Sequence, residues 1–447
     1  MRKTLFCLLV IVTSLRAPPA GAGLLPTEPT VDRLPNGLQV VVVPWDSPGI
    51  VAYFTLVRTG SRDEAERGHS GFAHLFEHMM FRGSENYPRD RYEALMQEFG
   101  ADDNAFTTDD FTLYTTTIPK AVLPRMVEMN ADRFQRLSYT EDAFRTETGA
   151  VLGEYNKSAS DPYLKMSEAL AETAFTRHTY AHTTIGYLRD VQAMPGKYDY
   201  SVRFLRRFYT PDNCAVIVVG DVTRGEVLPL VTTAYSTWRG RRDNPRIAAE
   251  PAQTAPRRRH VEWDGQSPPK MLIGYKTPSF SVENRDTAAL EVIHELAFGD
   301  SSDLYQRLVV REQTLLDLGS WSEDFHRDPQ LFTVDVKLKP GGDFEPALTA
   351  ITAELARIAS GAIPAERIAE VQSNLKYGFQ MRLETPTQVA TQVGAFMAMT
   401  GDVRSMDRYV EQLAAVTPED VARVARTYLT PERSTVITLA PRAGGAR

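Results

Sequence analysis

The segment His74-Leu75-Phe76-Glu77-His78 places three side chains where they could act together in chemistry. On a helix, positions four apart share a face, so the imidazoles of His74 and His78 could bind one metal ion. Glu77 lies beside the same face, where a carboxylate could accept a proton from water without binding the ion. The order H-x-x-E-H is the inverse of the commoner H-E-x-x-H. The spacing therefore predicts a metal-dependent hydrolytic site.

A helix with a polar face in solvent would explain the same three residues without a metal. The flanking residues argue against this simpler interpretation, because they are apolar and predict a mostly buried helix: Phe72, Leu75, Phe76, Met79 and Met80. Buried histidines and a buried glutamate need partners, and a metal ion supplies them.

Two histidines leave a catalytic zinc ion one protein ligand short. The predicted helix 140–158 carries Glu147 and Glu154, which are seven residues, or two turns, apart and so lie on one face. Either could bind the ion, with the other supporting the site from behind. On spacing alone, a solvated charged face is the better explanation of both glutamates, and spacing does not show which of the two would bind the ion.

The elements that must position these residues follow from hydrophobic periodicity and turn residues. A hairpin is predicted over 31–44, with its turn at Asn36-Gly37. Further strands are predicted at 51–58, 112–118 and 214–219, and helices at 69–82, 89–99, 120–137 and 140–158.

The second half of the chain repeats this order. A strand is predicted at 271–275, a helix at 286–298, a strand at 331–338 and a helix pair at 344–360 and 364–379. The repeat predicts an α+β fold of two homologous domains, each a mainly antiparallel sheet with helices packed on one face, arranged like a clam shell.

The predicted domain boundaries follow from the repeat and from composition. They are a signal peptide at 1–22, a catalytic zinc-binding domain at 23–240, a linker rich in Arg, Ala and Pro at 241–256, a second domain at 257–440 and a tail at 441–447. In the helix that mirrors the metal helix, His294 has only Leu290 and Ile293 where ligand and base would stand. The second domain is therefore predicted to lack a metal site.

The first 22 residues have a basic start, an apolar run and Ala20-Gly21-Ala22 as a cleavage site, which predicts export to the periplasm or beyond. A mitochondrial leader would also be basic and free of acids, but it would be amphipathic. Removal of this segment takes the formal charge from −7 to −10, because it holds three cations and no acids. Such an acidic chain is not expected to bind nucleic acid. Cys214 would then be the remaining cysteine, so no internal disulfide is expected, and no later stretch predicts a transmembrane anchor.

The segment Gly71-Phe72-Ala73-His74-Leu75-Phe76-Glu77-His78-Met79 resembles the inverted-motif zinc peptidases, called M16 or pitrilysin-like, which include insulin-degrading enzymes and mitochondrial processing peptidases. The resemblance implies one zinc ion per chain, with a glutamate far downstream as the third ligand. Glu154, which stands 76 residues after His78, matches that ligand, and Glu147 matches a supporting glutamate seven residues earlier. Asn104-Ala105-Phe106-Thr107 resembles the strand that pairs with bound peptide, so Asn104, Ala105 and Phe106 are expected to bind substrate.

The chain departs from the family pattern in its second half. Members often carry an arginine and a tyrosine there, seven residues apart, that bind substrate near the zinc. Val309 and Leu316 stand at those positions, and Arg311 has Leu318 seven residues later. The chain's length resembles the short subfamily that assembles from two chains. A homologous M16-type subunit is therefore expected as a partner, in a heterodimer rather than a homodimer.

These observations predict a zinc metalloendopeptidase or oligopeptidase that hydrolyses peptides or unfolded segments with Glu77 as general base. A non-catalytic peptide-binding or assembly subunit of a larger complex is the alternative from a different class, but such members usually lose zinc ligands. A metal-storage protein is a weaker alternative, because the chain has only 8 histidines and no tract that combines them with acids.

Overall fold

The structure is a computed structural model, and it describes residues 23–322 and 325–442. The predicted signal peptide at 1–22 and residues 443–447 of the predicted tail lie outside the described residues. None of the described helices combines the length and the hydropathy that a bilayer span requires.

The strands belong to two separate groups along the chain. In chain order they are β1 Thr30–Arg33, β2 Gln39–Pro44, β3 Ile50–Val57, β4 Asp102–Thr107, β5 Thr112–Pro119, β6 Cys214–Gly220, β7 Arg257–Trp263, β8 Lys270–Lys276, β9 Leu315–Ser322, β10 Leu331–Leu338 and β11 Ser434–Pro441.

The helices surround these strands. They are α1 Phe72–Met79, α2 Arg89–Phe99, α3 Leu123–Gln135, α4 Glu141–Ser158, α5 Pro162–Ala174, α6 Leu188–Ala193, α7 Tyr198–Phe208, α8 Arg224–Ala234, α9 Asp286–Phe298, α10 Asp303–Tyr305, α11 Phe344–Ala359, α12 Ala365–Met381, α13 Pro386–Thr400, α14 Ser405–Ala415 and α15 Pro418–Tyr428. The short α10 continues as a π-helix over Gln306–Arg311.

The first sheet has the strand order β1-β2-β6-β3-β5-β4. Strands β2 and β6 are parallel, and the other neighbours are antiparallel. Strand β4 lies at the edge, paired with β5 in a register that sets Ala105 opposite Tyr114. One long side of β4 is therefore without a strand partner among the described residues.

The second sheet repeats this topology. Its order is β7-β11-β8-β10-β9, again with one parallel pair, β7 and β11, and antiparallel neighbours elsewhere. Its strands correspond, in this order, to β2-β6-β3-β5-β4 of the first sheet. The predicted α+β fold of two related sheets with helices is confirmed.

Side chains alternate between the two faces of each sheet, and the two faces have different neighbours. In the first sheet, Val40, Val42 and Tyr53 belong to the core beneath α1 and α3, whereas Val41 and Phe54 belong to a core shared with the second half. Helix α13, from the second half, packs on that opposite face, against β3 and β6.

The second sheet shows the reverse arrangement. Leu272 and Ile437 face α5, a helix of the first half, while Met271 and Ile273 face α9 and the helices around it. Each sheet is therefore covered on one face by its own half and on the other by one helix from the opposite half. The central strands are buried along almost their whole length, so both faces of each sheet are apolar, but this pattern does not indicate which helix covers each face.

The metal helix is shorter than the predicted 69–82. Gly71 precedes α1 with φ of 88°, a left-handed conformation that a right-handed helix does not contain. By contrast, α2 ends at Phe99 before left-handed Gly100, as predicted. Residues 241–256 contain no helix or strand, and Glu250 in this segment accepts backbone hydrogen bonds from Thr176, Arg177 and His178.

Candidate metal centre

Helix α1 is held at both its start and its middle. The buried Glu64 carboxylate accepts hydrogen bonds from the Gly71 and Ala73 N–H groups, at 2.7 and 2.6 Å. These groups lie at the N-terminus of α1, where N–H groups lack partners within the helix. The Tyr114 hydroxyl, from β5, donates to the Phe76 carbonyl at 3.0 Å. The helix is thus fixed to the first sheet before any metal binds.

The apolar residues of α1 are buried, and its three polar residues share the remaining side. His74, Glu77 and His78 are each partly buried. The two imidazole rings stand nearly perpendicular, with centroids 4.8 Å apart. Their position on one side follows from the i, i+4 spacing of the sequence.

Helix α4 brings Glu154 to the same place. Nε2 of His74 lies 3.6 Å from Oε2 of Glu154, and Nε2 of His78 lies 3.4 Å from the same oxygen. Ligand atoms in a tetrahedral zinc site, each about 2.0–2.1 Å from the ion, are about 3.4 Å from one another. Within the described residues these three side chains form the one group of potential ligands, with all ligand atoms within 4.8 Å. The donor set and its spacing fit a zinc ion.

Glu147 supports the histidine next to it. It lies two helical turns before Glu154 on α4 and is buried, whereas the Glu154 side chain is 45% exposed. Its Oε1 lies 3.3 Å from Nδ1 of His78, and its other oxygen forms an ion pair with Arg82. If Nδ1 of His78 carries the proton and donates it to this carboxylate, Nε2 keeps its lone pair. That lone pair faces Glu154 and is available to bind a metal ion between the two side chains.

The other histidine is also in a state suited to metal binding. Burial lowers the pKa of His74, against the opposing effect of the nearby Glu77 and Glu154 carboxylates. The neutral imidazole that results is the form that ligates a metal. Nδ1 of His74 is buried and has no hydrogen-bond partner in the described part of the chain.

Glu77 is oriented by strand β4. The Thr107 hydroxyl donates to Oε2 of Glu77 at 2.6 Å, which leaves Oε1 available to accept another proton. Glu77 and His78 line an open depression together with Asn104 and Ala105 of the same strand. Two of the three residues expected to bind substrate thus lie beside the metal group.

The third, Phe106, faces away from this depression. Its side chain is 37% exposed and its ring lies against Phe111, with centroids 5.9 Å apart. Because alternate residues of a strand share a face, Phe106 lies on the face of the first sheet opposite the one that Ala105 and Thr107 share with α1. Asn104 shares that face with Phe106, yet it also borders the depression beside the edge strand. The structure therefore brings Asn104 and Ala105 to the site and places Phe106 beside it.

Sequence reasoning did not identify Glu64, Arg82 or Thr107 as residues of the site. Arg82 meets Glu147 from a distant helix and Glu64 reaches the start of α1 across a loop, so neither contact leaves a spacing signal. Thr107 was more accessible to prediction, because it stands two residues after Ala105 and so shares its face of β4.

The described residues of the second half contain no comparable group. Helix α9 takes the place of α1, and Nδ1 of its His294 lies 2.6 Å from the Ser320 hydroxyl. Leu290 and Ile293 are buried beside it. Leu316, at the position where a substrate-binding tyrosine was expected, lies on β9 with a side chain 43% exposed.

Similar proteins place the chain in an enzyme class. The zinc protease PqqE of Helicobacter pylori is 28% identical over 443 residues, which is 97% of each chain. A solved structure of a protease from Helicobacter pylori has a TM-score of 0.87 at 28% identity and covers 93% of this chain and all of that one. The beta subunit of the mitochondrial-processing peptidase of Blastocladiella emersonii is 22% identical over 431 residues, 94% of this chain and 90% of that protein. These relatives place the chain among the metallopeptidases.

Two family models match successive parts of the chain. Residues 41–187 match the model described as Insulinase (Peptidase family M16), and residues 198–375 match the one described as Peptidase M16 inactive domain. The chain belongs to peptidase family M16. The first matched segment contains the metal group, and the second contains α9 with its solitary histidine.

Proposed function

We propose that this protein is a zinc-dependent peptidase in which His74, His78 and Glu154 hold one zinc ion and Glu77 is the general base. The observation that carries the proposal is the convergence of three ligand atoms within 4.8 Å, with the Glu77 carboxylate beside them on the same helix. A zinc ion held by this group would polarise a peptide carbonyl and make a nearby water molecule easier to deprotonate.

Glu77 moves the proton that hydrolysis requires. Its Oε1 accepts a proton as water oxygen bonds to the peptide carbonyl carbon, and the same carboxyl group then donates that proton to the leaving nitrogen as the C–N bond breaks. Thr107 holds the other carboxylate oxygen, so one oxygen stays directed toward the reacting groups. Water is consumed and one acid and one amine form.

The substrate is an extended peptide that adds to the free side of β4. The N–H of Ala105 donates to Oδ1 of its own neighbour Asn104, at 2.9 Å, rather than to another strand. A peptide carbonyl can replace this bond in the manner of strand addition. Strand addition needs an extended backbone, so the substrates are small peptides and unfolded segments. The enzyme then cleaves peptide bonds within these substrates.

The test compares Glu77→Gln with wild type on a mixed peptide library, with zinc measured in each protein. The amide cannot accept the proton, so peptidase activity falls by roughly 10²–10⁴-fold or more while zinc content is retained. Glu295→Gln, beside the solitary histidine of α9, is the matched control and keeps wild-type activity. A His74→Ala, His78→Ala double variant loses zinc; full zinc occupancy in that protein, or wild-type turnover by Glu77→Gln, would refute the proposal.

We also infer that the chain works with a homologous subunit that supplies an arginine and a tyrosine. Leu316 on β9 and Val309 in the preceding π-helix cannot supply a guanidinium or a phenol to stabilise an oxyanion. A relative named as a subunit supports this assignment. Robust turnover by the isolated chain, unaffected by Arg311→Ala, would exclude both the partner requirement and Arg311 as a substitute.

Export from the cytoplasm is part of the proposal and rests on the sequence of residues 1–22. Fractionation of cells that express the full chain tests it, together with the N-terminal sequence of the mature protein. Cleavage near Ala22 in an exported fraction is expected, and an uncleaved cytoplasmic protein would contradict it.

A further inference from the structure

Strand β4 contacts the proposed general base through the side chain of Thr107. The Thr107 hydroxyl lies 2.6 Å from Oε2 of Glu77, whereas its distance to the Thr112 hydroxyl is 3.4 Å. Thr112 donates its own proton to the Thr59 carbonyl at 3.1 Å. The single Thr107 proton therefore goes to Glu77, because the carboxylate is both the nearer and the stronger acceptor.

The position of Thr107 is fixed by the turn that follows it. Thr107 pairs with Thr112 across the hairpin of β4 and β5, and the Thr108 hydroxyl accepts the N–H groups of Asp110 and Phe111. Asp110, buried within this turn, accepts hydrogen bonds from the Arg327 side chain of the second half. The hydroxyl thus stands on a rigid support rather than on a free loop end.

We propose that Thr107 is a positioning residue for catalysis: it fixes the Glu77 carboxylate so that Oε1 alone faces the reacting water. This inference rests on the proposed role of Glu77 and deepens it. The strand to which the peptide adds is then the same strand that orients the base. Strand β4 therefore positions both the substrate and the base.

The experiment compares Thr107→Val, which keeps the shape but removes the hydroxyl, with Thr107→Ser, which keeps the hydroxyl. Loss of a hydrogen bond to a charged group lowers kcat by roughly 10- to 100-fold in Thr107→Val. KM and zinc content stay near wild type, because Thr107 neither lines the peptide-binding side nor reaches the ligand atoms. Thr107→Ser retains kcat within a few-fold.

The matched control is Thr116→Val. The Thr116 hydroxyl donates to a carboxylate of the same hairpin, Asp103, at 2.8 Å, and the other partners of that carboxylate are Tyr92 and Arg133 rather than residues of the metal group. If Thr116→Val lowers kcat as much as Thr107→Val does, the effect is a general weakening of the hairpin and the inference is overturned. A Thr107→Val protein that fails to fold is replaced by Thr107→Ala, which removes the same hydroxyl with less crowding.

A structural readout is independent of turnover. Crystal structures of the metal-free proteins are expected to show one Glu77 side-chain position in wild type and Thr107→Ser, and a displaced or divided position in Thr107→Val. An unchanged Glu77 position or wild-type kcat in Thr107→Val overturns the inference. If wild type itself shows no zinc-dependent cleavage, the proposed function fails instead, so the two failures are distinguishable.

Discussion

The contact between Glu147 and His78 leads us to propose that Glu147 supports the metal group through this histidine rather than by direct binding. Glu147→Gln weakens the hydrogen bond to Nδ1 of His78 and the ion pair with Arg82, so zinc affinity is expected to fall about 10–100-fold. Competition with a chromophoric chelator measures this. Glu141→Gln, on the exposed start of the same helix, is the control. Zinc loss in Glu147→Ala with none in Glu154→Ala would reverse the assignment of the two glutamates.

Lys276 is a buried cation without a hydrogen-bond partner in the described part of the chain. Its Nζ lies over the Phe175 ring, 3.1 Å from the centroid, and burial lowers the pKa of Lys276 to about 7, although the Glu250 charge opposes this. The unfolded chain holds this proton up to its ordinary pKa of 10.5, so the free energy of unfolding rises between about pH 7 and 10.5.

Lys276→Met is therefore expected to stabilise the protein at pH 7, by on the order of 2 kcal/mol, and to remove this rise. Urea unfolding at pH 7, 8.5 and 10 measures both effects. Lys337→Met, on the neighbouring strand β10, is the control. A less stable Lys276→Met at pH 7 would mean that the attraction to Glu250 and to the Phe175 ring exceeds the cost of burial.

At this scale the sequence predicts what local geometry dictates. The i, i+4 histidines and the seven-residue spacing of Glu147 and Glu154 each define one helix face, and the faces meet as expected. Spacing could not show which of the two glutamates would bind the ion, because the difference between them is their burial. Burial depends on the rest of the fold. Lys276 gave no signal, since its environment is made by Phe175 and Glu250, which are distant in the chain or lie on another segment.

The start of α1 is an element-scale constraint on the metal group. Gly71 has φ of 88°, and a Cβ placed there would lie 2.6 Å from the Ile185 carbonyl oxygen. Gly71→Ala is expected to cost at least about 2 kcal/mol, through the left-handed conformation and the clash together, and to shift α1 enough to weaken zinc binding. Thermal unfolding and zinc titration measure the two effects.

Gly100→Ala is the matched control, because Gly100 is also left-handed but has open space where a Cβ would stand. It is expected to cost only about 1–2 kcal/mol and to leave zinc affinity unchanged. Equal losses in both variants would mean that the contact with Ile185 can relax.

Elements with strong periodicity were predictable, and those defined by their neighbours were not. Helix α4 begins after Thr140, whose hydroxyl accepts the Ala143 N–H, and this capping residue was visible in the sequence. Strand β7, Arg257–Trp263, carries three successive arginines and lacks an apolar alternation. It forms a strand because β11 offers it a parallel partner, which no local pattern indicates.

On the scale of the whole molecule, a buried ion-pair cluster joins the two halves. Arg327 donates to Asp110 and Asp63, each at 3.0 Å, and Nδ1 of His326 lies 3.1 Å from Asp110. Burial alone would raise the pKa of Asp110, but the hydrogen bond from His326 and the charge of Arg327 lower it from 3.8 to about 2. Asp110 therefore stabilises the protein above about pH 4, and this stabilisation is lost as pH falls through 2.

Asp110→Asn is expected to lower the free energy of unfolding at neutral pH by about 2–4 kcal/mol and to weaken its dependence on pH between 4 and 2. Denaturant unfolding across that range measures both. Asp402→Asn, in an exposed pair with Arg408, should change the stability by less than about 1 kcal/mol. An Asp110→Asn protein that keeps the acid dependence of wild type would contradict this assignment.

The exchange of α5 and α13 has a consequence for how the two halves relate. These helices follow equivalent helix pairs, α3 with α4 and α11 with α12. Each half therefore covers the sheet of the other half with the equivalent helix. This is the geometry of a domain-swapped dimer whose two copies have been joined end to end through residues 241–256. A single proteolytic nick among the exposed residues of that connection should leave one particle, since neither fragment could cover both faces of its own sheet. The two halves would then separate only when the protein unfolds. Cleavage in this connection would therefore be detected only after denaturation.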